Sequence, residues 1–235
     1  MFGDCMSWLP ALPSGMADLA LVDTNWGINE GVKASDGRNT PIKQRSGKLL
    51  LAPQNTYDVQ LWDAAQPEQS YFDELFRVAN KAIIMGENYL QFSQKASSTG
   101  RIVWDKVRGD SDFSDCEIFW TNLHNNVKII TYMWNGMFQG KSLAEPRVQQ
   151  PNKKLNEKRQ QPAHKPVLLY RALYERYTKP GQVVIDTHVG SGSSRIAAWD
   201  YGLDFYGFEN NRKNYIRQQR RFENHAAAAQ LYRGY

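Results

Sequence analysis

Residues 183–194, with the sequence VVIDTHVGSGSS, decide the fold of this chain. The β-branched residues at 183–185 predict a short buried strand, and Asp186 ends it. Two glycines then turn the chain sharply, and Ser193 or Ser194 is placed to cap the N-terminus of a helix. A strand, a glycine loop and a helix in this order are typical of an open parallel α/β sheet, which binds its ligand at the carboxyl end of the strand.

A second predicted strand, at residues 205–208, ends in Glu209. The spacing from Asp186 suits an acid that accepts hydrogen bonds from the two hydroxyls of an adenosine ribose, since such acids lie about 20 residues after the glycine loop. A glycine loop alone is a weak signal, because a tight turn packed on a helix needs the same residues. The loop also lacks the lysine of a phosphate-binding loop, which disfavours a nucleotide phosphatase or kinase.

Composition favours one globular α/β domain over a membrane or disulfide-rich protein. The chain has 235 residues, of which 41% are hydrophobic, and that is enough for one sizeable core. No apolar run approaches the roughly 18 residues of a membrane span, and the N-terminus lacks a signal-peptide pattern. Two cysteines are too few for a disulfide framework, and the four histidines show no ligand spacing. We therefore expect a cytoplasmic protein with no membrane partner and no metal.

The net charge of +5 is unevenly distributed along the chain. Residues 1–140 sum to −4, and residues 141–235 sum to +9. Such an asymmetry favours a polyanionic partner such as nucleic acid, although a solvated basic face explains it equally well.

The rest of the chain alternates predicted strands and helices. Residues 18–22 predict a buried strand that stops at Asp23, and a long polar loop over residues 28–69 follows it. Residues 141–165 hold seven basic residues, two acidic residues and three prolines, which predicts a flexible basic connector. The other predicted elements are helices over 71–79 and 166–177 and strands at 81–85, 102–104, 116–120 and 128–132.

The motif order resembles that of one enzyme family. The tetrapeptide Asp23-Thr24-Asn25-Trp26 comes first, a basic variable segment follows, and Lys165 precedes a proline and the glycine loop. This order resembles the amino-group DNA methyltransferases in their permuted, β-class arrangement, which modify adenine N6 or cytosine N4. The further segments that resemble the family are Gly3-Asp4-Cys5, Gly86-Glu87-Asn88-Tyr89, Trp104-Asp105-Lys106, Cys116-Glu117-Ile118-Phe119-Trp120-Thr121, Gln161-Pro162-Ala163-His164-Lys165-Pro166 and residues 186–192.

The resemblance implies an α/β, Rossmann-like methyltransferase fold. It predicts a mostly parallel central sheet with helices on both faces and a circularly permuted motif order. Residues 1–235 then form a single methyltransferase domain. Its parts are a catalytic half at 1–121, a short target-recognition segment with the basic connector at 122–161, and a cofactor-binding half at 162–235.

The resemblance also implies a cofactor, a partner and a set of site residues. S-adenosyl-L-methionine (SAM) is the expected methyl donor and double-stranded DNA the expected substrate, with the target base flipped out of the duplex. Asp23 would accept a hydrogen bond from the exocyclic amine, the carbonyls of Thr24 and Asn25 would supply a second acceptor, and the Trp26 ring would replace the lost base stack. The implied cofactor residues are Asp4, Cys5, Lys165, Asp186, Thr187, His188, Gly190, Ser191, Gly192, Ser193, Glu209 and Asn210. The candidate DNA contacts are Lys33, Arg38, Lys43, Arg45, Lys128, Lys141, Arg147, Lys153, Lys154, Lys158 and Arg159.

Departures from the family pattern define the alternatives. Thr24 and Asn25 replace two prolines that fix the backbone and its acceptor carbonyls, and Gln161, Ala163 and His164 depart in the cofactor segment. We expect an active adenine-N6 methyltransferase, because the tetrapeptide opens with Asp. A cytosine-N4 or RNA methyltransferase and a catalytically impaired nucleic-acid-binding protein are the alternatives. The resemblance leaves a homodimer open, places any restriction endonuclease in a separate chain and indicates a prokaryotic or phage-encoded protein.

Overall fold

The strands and helices that the sequence pattern predicts lie close to their predicted positions, whereas the long helix Arg212–Arg233 was not predicted. The computed structural model describes residues 1–29, 42–43, 49–50, 63–109, 114–135, 138–161 and 163–233. The strands are β1 Leu19–Val22, β2 Ile42–Lys43, β3 Leu49–Leu50, β4 Ala82–Met85, β5 Arg101–Asp105, β6 Cys116–Thr121, β7 Val127–Thr131, β8 Trp134–Asn135, β9 Phe138–Gln139, β10 Val183–Asp186 and β11 Asp204–Gly207. The helices are α1 Gln69–Val78, α2 Val167–Tyr177, α3 Ser193–Tyr201 and α4 Arg212–Arg233.

Seven of the described strands form the central sheet, in the order β11-β10-β1-β4-β6-β5-β7. Every neighbouring pair is parallel except the two that involve β6, which runs antiparallel to both β4 and β5. The pairs β2-β3 and β8-β9 form separate hairpins. The predicted mostly parallel α/β sheet is therefore confirmed.

Helices cover both faces of this sheet. In β1, Leu19 and Leu21 point to one face and Ala20 and Val22 to the other, because side chains alternate along a strand. On the first face α2 and α3 contribute their apolar side to the core, and on the second face α1 does so. The buried residues of α1 are Tyr71, Phe72, Leu75 and Val78, a helical spacing that gives one apolar stripe.

The direction of the connections reverses between β10 and β1. The chain leaves β10 through α3 to β11 on one side, and it leaves β1 through α1 to β4 on the other side. Such a reversal opens a crevice at the carboxyl ends of the two central strands. Asp23 follows β1 and Thr187 follows β10, so the tetrapeptide and the glycine loop meet in this crevice.

The prediction that a serine caps α3 was wrong. The N-cap is Gly192, whose φ of +82° lies in the left-handed region, and it makes no side-chain cap bond. A Cβ at this position would lie 3.0 Å from Cβ of Gln218, so the close approach of α4 also requires glycine. Ser193 and Ser194 are instead the first two residues of the helix, and both side chains are buried.

The predicted flexible connector is anchored to the body of the protein at Glu157. The backbone of Glu157 exchanges two hydrogen bonds of 2.8 Å with the side chain of Gln139. Its carboxylate accepts hydrogen bonds from His164 at 2.7 Å and from Arg221 at 2.6 Å. The structure differs from the prediction here because the sequence around Glu157 gives no sign of the distant partners of this acid. Most of the predicted polar loop at 28–69 lies outside the described residues.

No helix in the described part of the chain combines the length and the apolar character that a bilayer crossing demands.

Candidate active site

A cavity of about 480 Å³ opens at the carboxyl ends of β1 and β10. Its volume falls within the ~300–1,000 Å³ typical of small-molecule sites. The tetrapeptide, the glycine loop, the first turn of the chain and the N-terminal ends of α1 and α4 form its walls. The predicted site residues that line it are Asp4, Cys5, Asp23, Thr24, Asn25, Trp26, Lys165, Thr187, His188, Gly190, Ser191, Glu209 and Asn210.

Three predicted cofactor residues lie behind this wall rather than in it. Asp186 is fully buried, and its carboxylate accepts hydrogen bonds from the backbone N–H of His188 at 2.9 Å and the hydroxyl of Ser194 at 2.5 Å. Burial raises the pKa of Asp186 to about 7. Ser193 bonds to Ser191 Oγ at 3.1 Å, and Gly192 packs on α4. Asp186, Gly192 and Ser193 therefore shape the glycine loop from its buried side.

Glu209 joins the glycine loop to the start of α4. Its Oε2 accepts a hydrogen bond from the backbone N–H of Gly190 and its Oε1 accepts one from Asn211, both at 2.8 Å. Burial raises the pKa of Glu209, and these two N–H donors oppose that rise. Each carboxylate oxygen keeps further acceptor capacity, and Glu209 lines the cavity. Glu209 is thus placed to accept from a diol such as a ribose.

The wall beside Thr187 is polar but uncharged. The Tyr71 hydroxyl lies 2.6 Å from Thr187 Oγ1, and Thr187 Oγ1 lies 2.9 Å from His188 Nδ1. The ring of His188 packs edge-on against that of Tyr71 at 5.6 Å. Burial lowers the pKa of His188 to about 4, so its imidazole is neutral at pH 7. Within the described ranges, no group of three or more His, Cys, Asp and Glu residues could hold a metal ion.

Asp23 is held by a buried lysine. Lys165 Nζ lies 2.9 Å from Asp23 Oδ2 and 3.4 Å from Glu117 Oε2, and only 4% of the Lys165 side chain is exposed. Burial alone would lower the pKa of Lys165, but the two carboxylates outweigh it and raise that pKa to about 12. Burial also raises the pKa of Asp23, which Lys165 opposes. Lys165 lines the cavity, but its ammonium pairs with Asp23, and its predicted contact with the cofactor stays a prediction.

Sequence reasoning did not single out Glu117 as a site residue. It lies on β6, and its second oxygen pairs with Lys106 Nζ at 2.7 Å. Burial would raise the pKa of Glu117, but Lys165 and Lys106 outweigh it and lower that pKa. Asp23, Glu117, Lys165 and Lys106 thus form a charge-balanced buried network. An acid inside an apolar strand pattern was the signal that could have revealed it.

The backbone that follows Asp23 is held by Asp63. Asp63 Oδ1 accepts hydrogen bonds from the backbone N–H groups of Trp26 at 2.6 Å and Gly27 at 2.8 Å. Asp63 is buried, and no sequence motif pointed to it.

The Trp26 ring packs within the protein at the edge of the cavity. It stacks on Tyr89 with 5.1 Å between centroids and 14° between planes, and Lys165 Nζ lies 4.5 Å from its centroid. A Cβ at Gly86 would lie 2.3 Å from the indole, so only glycine fits beneath the ring. A role for Trp26 in stacking on a flipped base stays a prediction.

The side chains predicted to contact DNA differ in their solvent exposure and in whether they already pair with another residue. Lys153, Lys154 and Lys158 are exposed on the connector, whereas Arg159 packs over the Trp134 ring at 4.7 Å. Lys128 is partly exposed on β7. Ion pairs of 2.6 Å join Lys141 to Glu145 and Arg147 to Asp105. Lys33, Arg38 and Arg45 lie outside the described residues, as does the side chain of Lys43.

A family comparison accounts for this arrangement. Residues 39–220 match the family model N6_N4_Mtase, described as DNA methylase. The chain belongs to this DNA methylase family. The match covers more than half of the chain and begins after the tetrapeptide. DNA methyltransferases of this family use SAM. No curated protein matches the chain.

Three solved structures are similar to this chain over nearly its whole length. The putative DNA modification methylase TTHA0409 of Thermus thermophilus has a TM-score of 0.51 and 14% identity over 95% of this chain and 94% of that chain. M1.HpyAVI in its SAM complex has a TM-score of 0.51 and 12% identity over 93% and 96%. The cytosine-N4-specific PvuII DNA methyltransferase has a TM-score of 0.51 and 13% identity over 94% and 84%. These likenesses show that the chain has the Rossmann-like methyltransferase fold.

Proposed function

We propose that this protein is an active SAM-dependent DNA methyltransferase that modifies an exocyclic amino group. Its preferred target is adenine N6. One observation carries the proposal: Asp23, which follows β1, and Glu209, which follows β11, line the same cavity and offer an acceptor for an amine and an acceptor for a ribose. Membership of the DNA methylase family supports both the cofactor and the DNA substrate.

The residues of the cavity fit SAM. Glu209 can accept from the ribose hydroxyls, and Asp4, Cys5 and Asn210 lie on the same wall. Thr187 and Ser191 bring hydroxyl groups to the glycine-loop side. SAM supplies a methyl group on a positively charged sulfur when it is bound.

The chain's own residues then have to make a weak nucleophile reactive. An exocyclic amine is a poor nucleophile because its lone pair is delocalised into the ring, so its N–H groups must be held by acceptors that orient the nitrogen. Asp23 is one acceptor, and Lys165 favours its ionised form. The backbone carbonyls of Thr24 and Asn25 supply the other, and the Thr24 hydroxyl makes only a weak 3.4 Å contact with the Asn25 carbonyl. The target base has to be flipped out of the duplex to reach these groups.

Several finer features belong to this proposal. In the chain, the strand before Asp23 precedes the glycine-loop strand, which supports the permuted β-class arrangement. We retain the division into a catalytic half at 1–121, a recognition segment at 122–161 and a cofactor half at 162–235. The proposal also includes a cytoplasmic location and a prokaryotic or phage origin. It further includes a homodimer, or a separate restriction endonuclease as a partner. The second candidate is cytosine N4, since PvuII DNA methyltransferase is specific for that position.

The deciding experiment measures methyl transfer directly. The purified protein is incubated with radiolabelled SAM and plasmid DNA from a host without methylases, and the labelled nucleosides are then separated. We expect label in N6-methyladenine. Label in N4-methylcytosine would move the assignment to cytosine. Binding of S-adenosylhomocysteine (SAH) without label in DNA or RNA would identify an impaired, binding-only protein.

Replacing Glu209 with alanine should weaken SAH binding roughly 10- to 150-fold. A charged hydrogen-bond acceptor contributes about 1.5–3 kcal/mol, which corresponds to that range of dissociation constants. Calorimetry with SAH measures the effect. Asp204→Ala is the matched control, because Asp204 is an exposed acid at the opposite end of β11. Binding of Glu209→Ala at the parental affinity would refute the ribose assignment.

Neutralising the exposed connector lysines should flatten the salt dependence of DNA binding. Each lost phosphate contact lowers the slope of log affinity against log salt by about 0.9, so Lys153→Gln, Lys154→Gln and Lys158→Gln together should reduce it by roughly 2 to 3. Titrations of duplex DNA by fluorescence anisotropy at several salt concentrations measure the slope. The control is Lys81→Gln with Lys179→Gln, two exposed lysines before the N-terminal ends of β4 and β10. An equal slope in parent and triple variant would make the connector a solvated surface.

A further inference from the structure

Tyr170 belongs to the cavity wall, although sequence reasoning did not place it in the site. It lies on α2, it is 5% exposed, and it lines the cavity. In the part of the chain that the structure describes, no group forms a hydrogen bond with its hydroxyl. Buried hydroxyl groups are normally paired, so an unpaired one in the wall of a cavity is available to a ligand.

The register of the sheet places Tyr170 over the carboxyl ends of β1 and β10. Tyr170 packs in one core cluster with Leu21 of β1 and Val184 of β10. Side chains two residues apart along a strand point to the same face, and the residues two positions further on are Asp23 and Asp186. Burial raises the pKa of Tyr170 well above its usual value, and the carboxylates of Asp23 and Asp186 raise it further. The hydroxyl is therefore neutral at pH 7, and it lies near both the amine acceptor and the glycine loop.

The strand order indicates which half of SAM would reach Tyr170. Glu209 follows β11, the glycine loop follows β10, and Asp23 follows β1, which is the order of these three strands in the sheet. Two strand spacings of ~4.8 Å thus lie between the proposed ribose acceptor and the amine acceptor. In SAM the sulfonium joins the ribose to the methionine chain. A ribose at Glu209 and a methyl group presented to an amine at Asp23 therefore bring the methionine half to the ends of β10 and β1.

The charge of the cavity favours a cation at this position. Of the described residues, five acids and one lysine line it, and the imidazole of His188 is neutral. Lys165 is already paired with Asp23 and Glu117. The methionine half of SAM carries two positive groups, the sulfonium and the α-ammonium. A neutral hydroxyl oxygen has lone pairs to offer to either of them. The five acids are Asp4, Asp23, Asp63, Glu68 and Glu209.

We propose that the Tyr170 hydroxyl binds a positively charged group of the methionine half of SAM. The inference rests on the proposed SAM-dependent function and adds a cofactor-binding residue to it. The α-ammonium would donate an N–H hydrogen bond to the hydroxyl oxygen, whereas the sulfonium would make C–H contacts through its methyl and methylene groups. A charged hydrogen bond is the stronger of the two, so the size of the effect separates them.

Calorimetry with three ligands tests this role. Tyr170→Phe removes only the hydroxyl, and its affinities for SAM, SAH and methylthioadenosine are compared with those of the parent. SAH keeps the ammonium without the sulfonium, and methylthioadenosine has neither. Binding of both SAM and SAH that is weaker by about 10-fold or more identifies the ammonium. Binding of SAM alone that is weaker by about 2- to 5-fold identifies the sulfonium. In either case, methylthioadenosine should bind the parent and the variant equally.

Tyr174→Phe is the matched control. Tyr174 lies one turn further along α2, it is fully buried away from the cavity, and its hydroxyl has no hydrogen-bond partner in the described structure. Both substitutions delete an unpaired hydroxyl, so neither should lower the melting temperature, and Tyr174→Phe should bind all three ligands like the parent.

Three outcomes would overturn the inference and leave the methyltransferase assignment intact. The first is parental affinity of Tyr170→Phe for both SAM and SAH. The second is an equal loss with methylthioadenosine, which would place the hydroxyl on the adenosine half. The third is the same loss in Tyr174→Phe, which would indicate a change in the packing of α2. A parent that binds neither SAM nor SAH would refute the proposed function itself.

Discussion

Replacement of Asp23 with alanine is expected to lower methyl transfer at least 100-fold while SAH affinity stays close to that of the parent. Removing one preorganised hydrogen-bond partner from an active site costs about 10²–10³ in kcat. Asp23 lines the part of the cavity formed by the tetrapeptide, whereas Glu209, the proposed ribose acceptor, follows β11 on the far side of β10. Loss of kcat with retained cofactor binding is the pattern of an interaction made only in the transition state.

The surrounding network should preserve the fold of this variant. Lys165 keeps Glu117 as a carboxylate partner when Asp23 is removed. Asp23→Asn keeps an oxygen acceptor without the charge, so a comparison with Asp23→Ala separates the two contributions. The control is Asp18→Asn, an exposed acid just before the opposite end of β1 whose carboxylate accepts from Val183 N–H. Turnover of Asp23→Ala within a few-fold of the parent would remove Asp23 from the reaction.

The fold was predictable because its signals are local. The β-branched residues at 183–185 predict β10, and Asp186 marks its end. Gly190 and Gly192 predict the turn that follows. None of these signals depends on a distant residue. The alternation of apolar strands with an amphipathic helix at residues 69–78 likewise needs only neighbours in sequence. Element boundaries moved by a residue or two, as with β11, whose pairing with β10 begins at Asp204 rather than Phe205.

The parts of the site that escaped prediction depend on distant contacts. Asp63 acts on an amide 37 residues away, and Lys165 reaches Asp23 across 142 residues. Neither of these contacts produces a periodic pattern in the sequence. The serine cap failed for a related reason, since α4 approaches Gly192 closely and the adjoining hydroxyls are turned inward. Motif matching located the residues of the cavity, but it could not reveal how their charges are paired.

Replacement of Lys165 with methionine should produce the largest loss of stability, about 3–5 kcal/mol in the free energy of unfolding. Removing one partner of a buried ion pair leaves the other charge uncompensated, and that costs more than the pair contributes. Asp23 would lose its 2.9 Å partner, and Glu117 would keep only Lys106. Urea denaturation monitored by circular dichroism measures the change. Lys81→Met, an exposed lysine before β4, is the control.

The pH dependence of this loss identifies its cause. Without Lys165, burial should raise the pKa of Asp23 further, so the native state binds a proton that the unfolded state, with an Asp pKa of about 3.9, has released. The free energy of unfolding of Lys165→Met should then fall as pH rises through this window, and the variant should come closest to the parent in acid. Lys165→Met with Asp23→Asn should regain part of the stability and lose much of this slope, because the uncompensated charge is gone. A deficit that stays constant from pH 4 to pH 8 would instead point to lost packing of the lysine stem, and the charge network would not be what holds Asp23 in place.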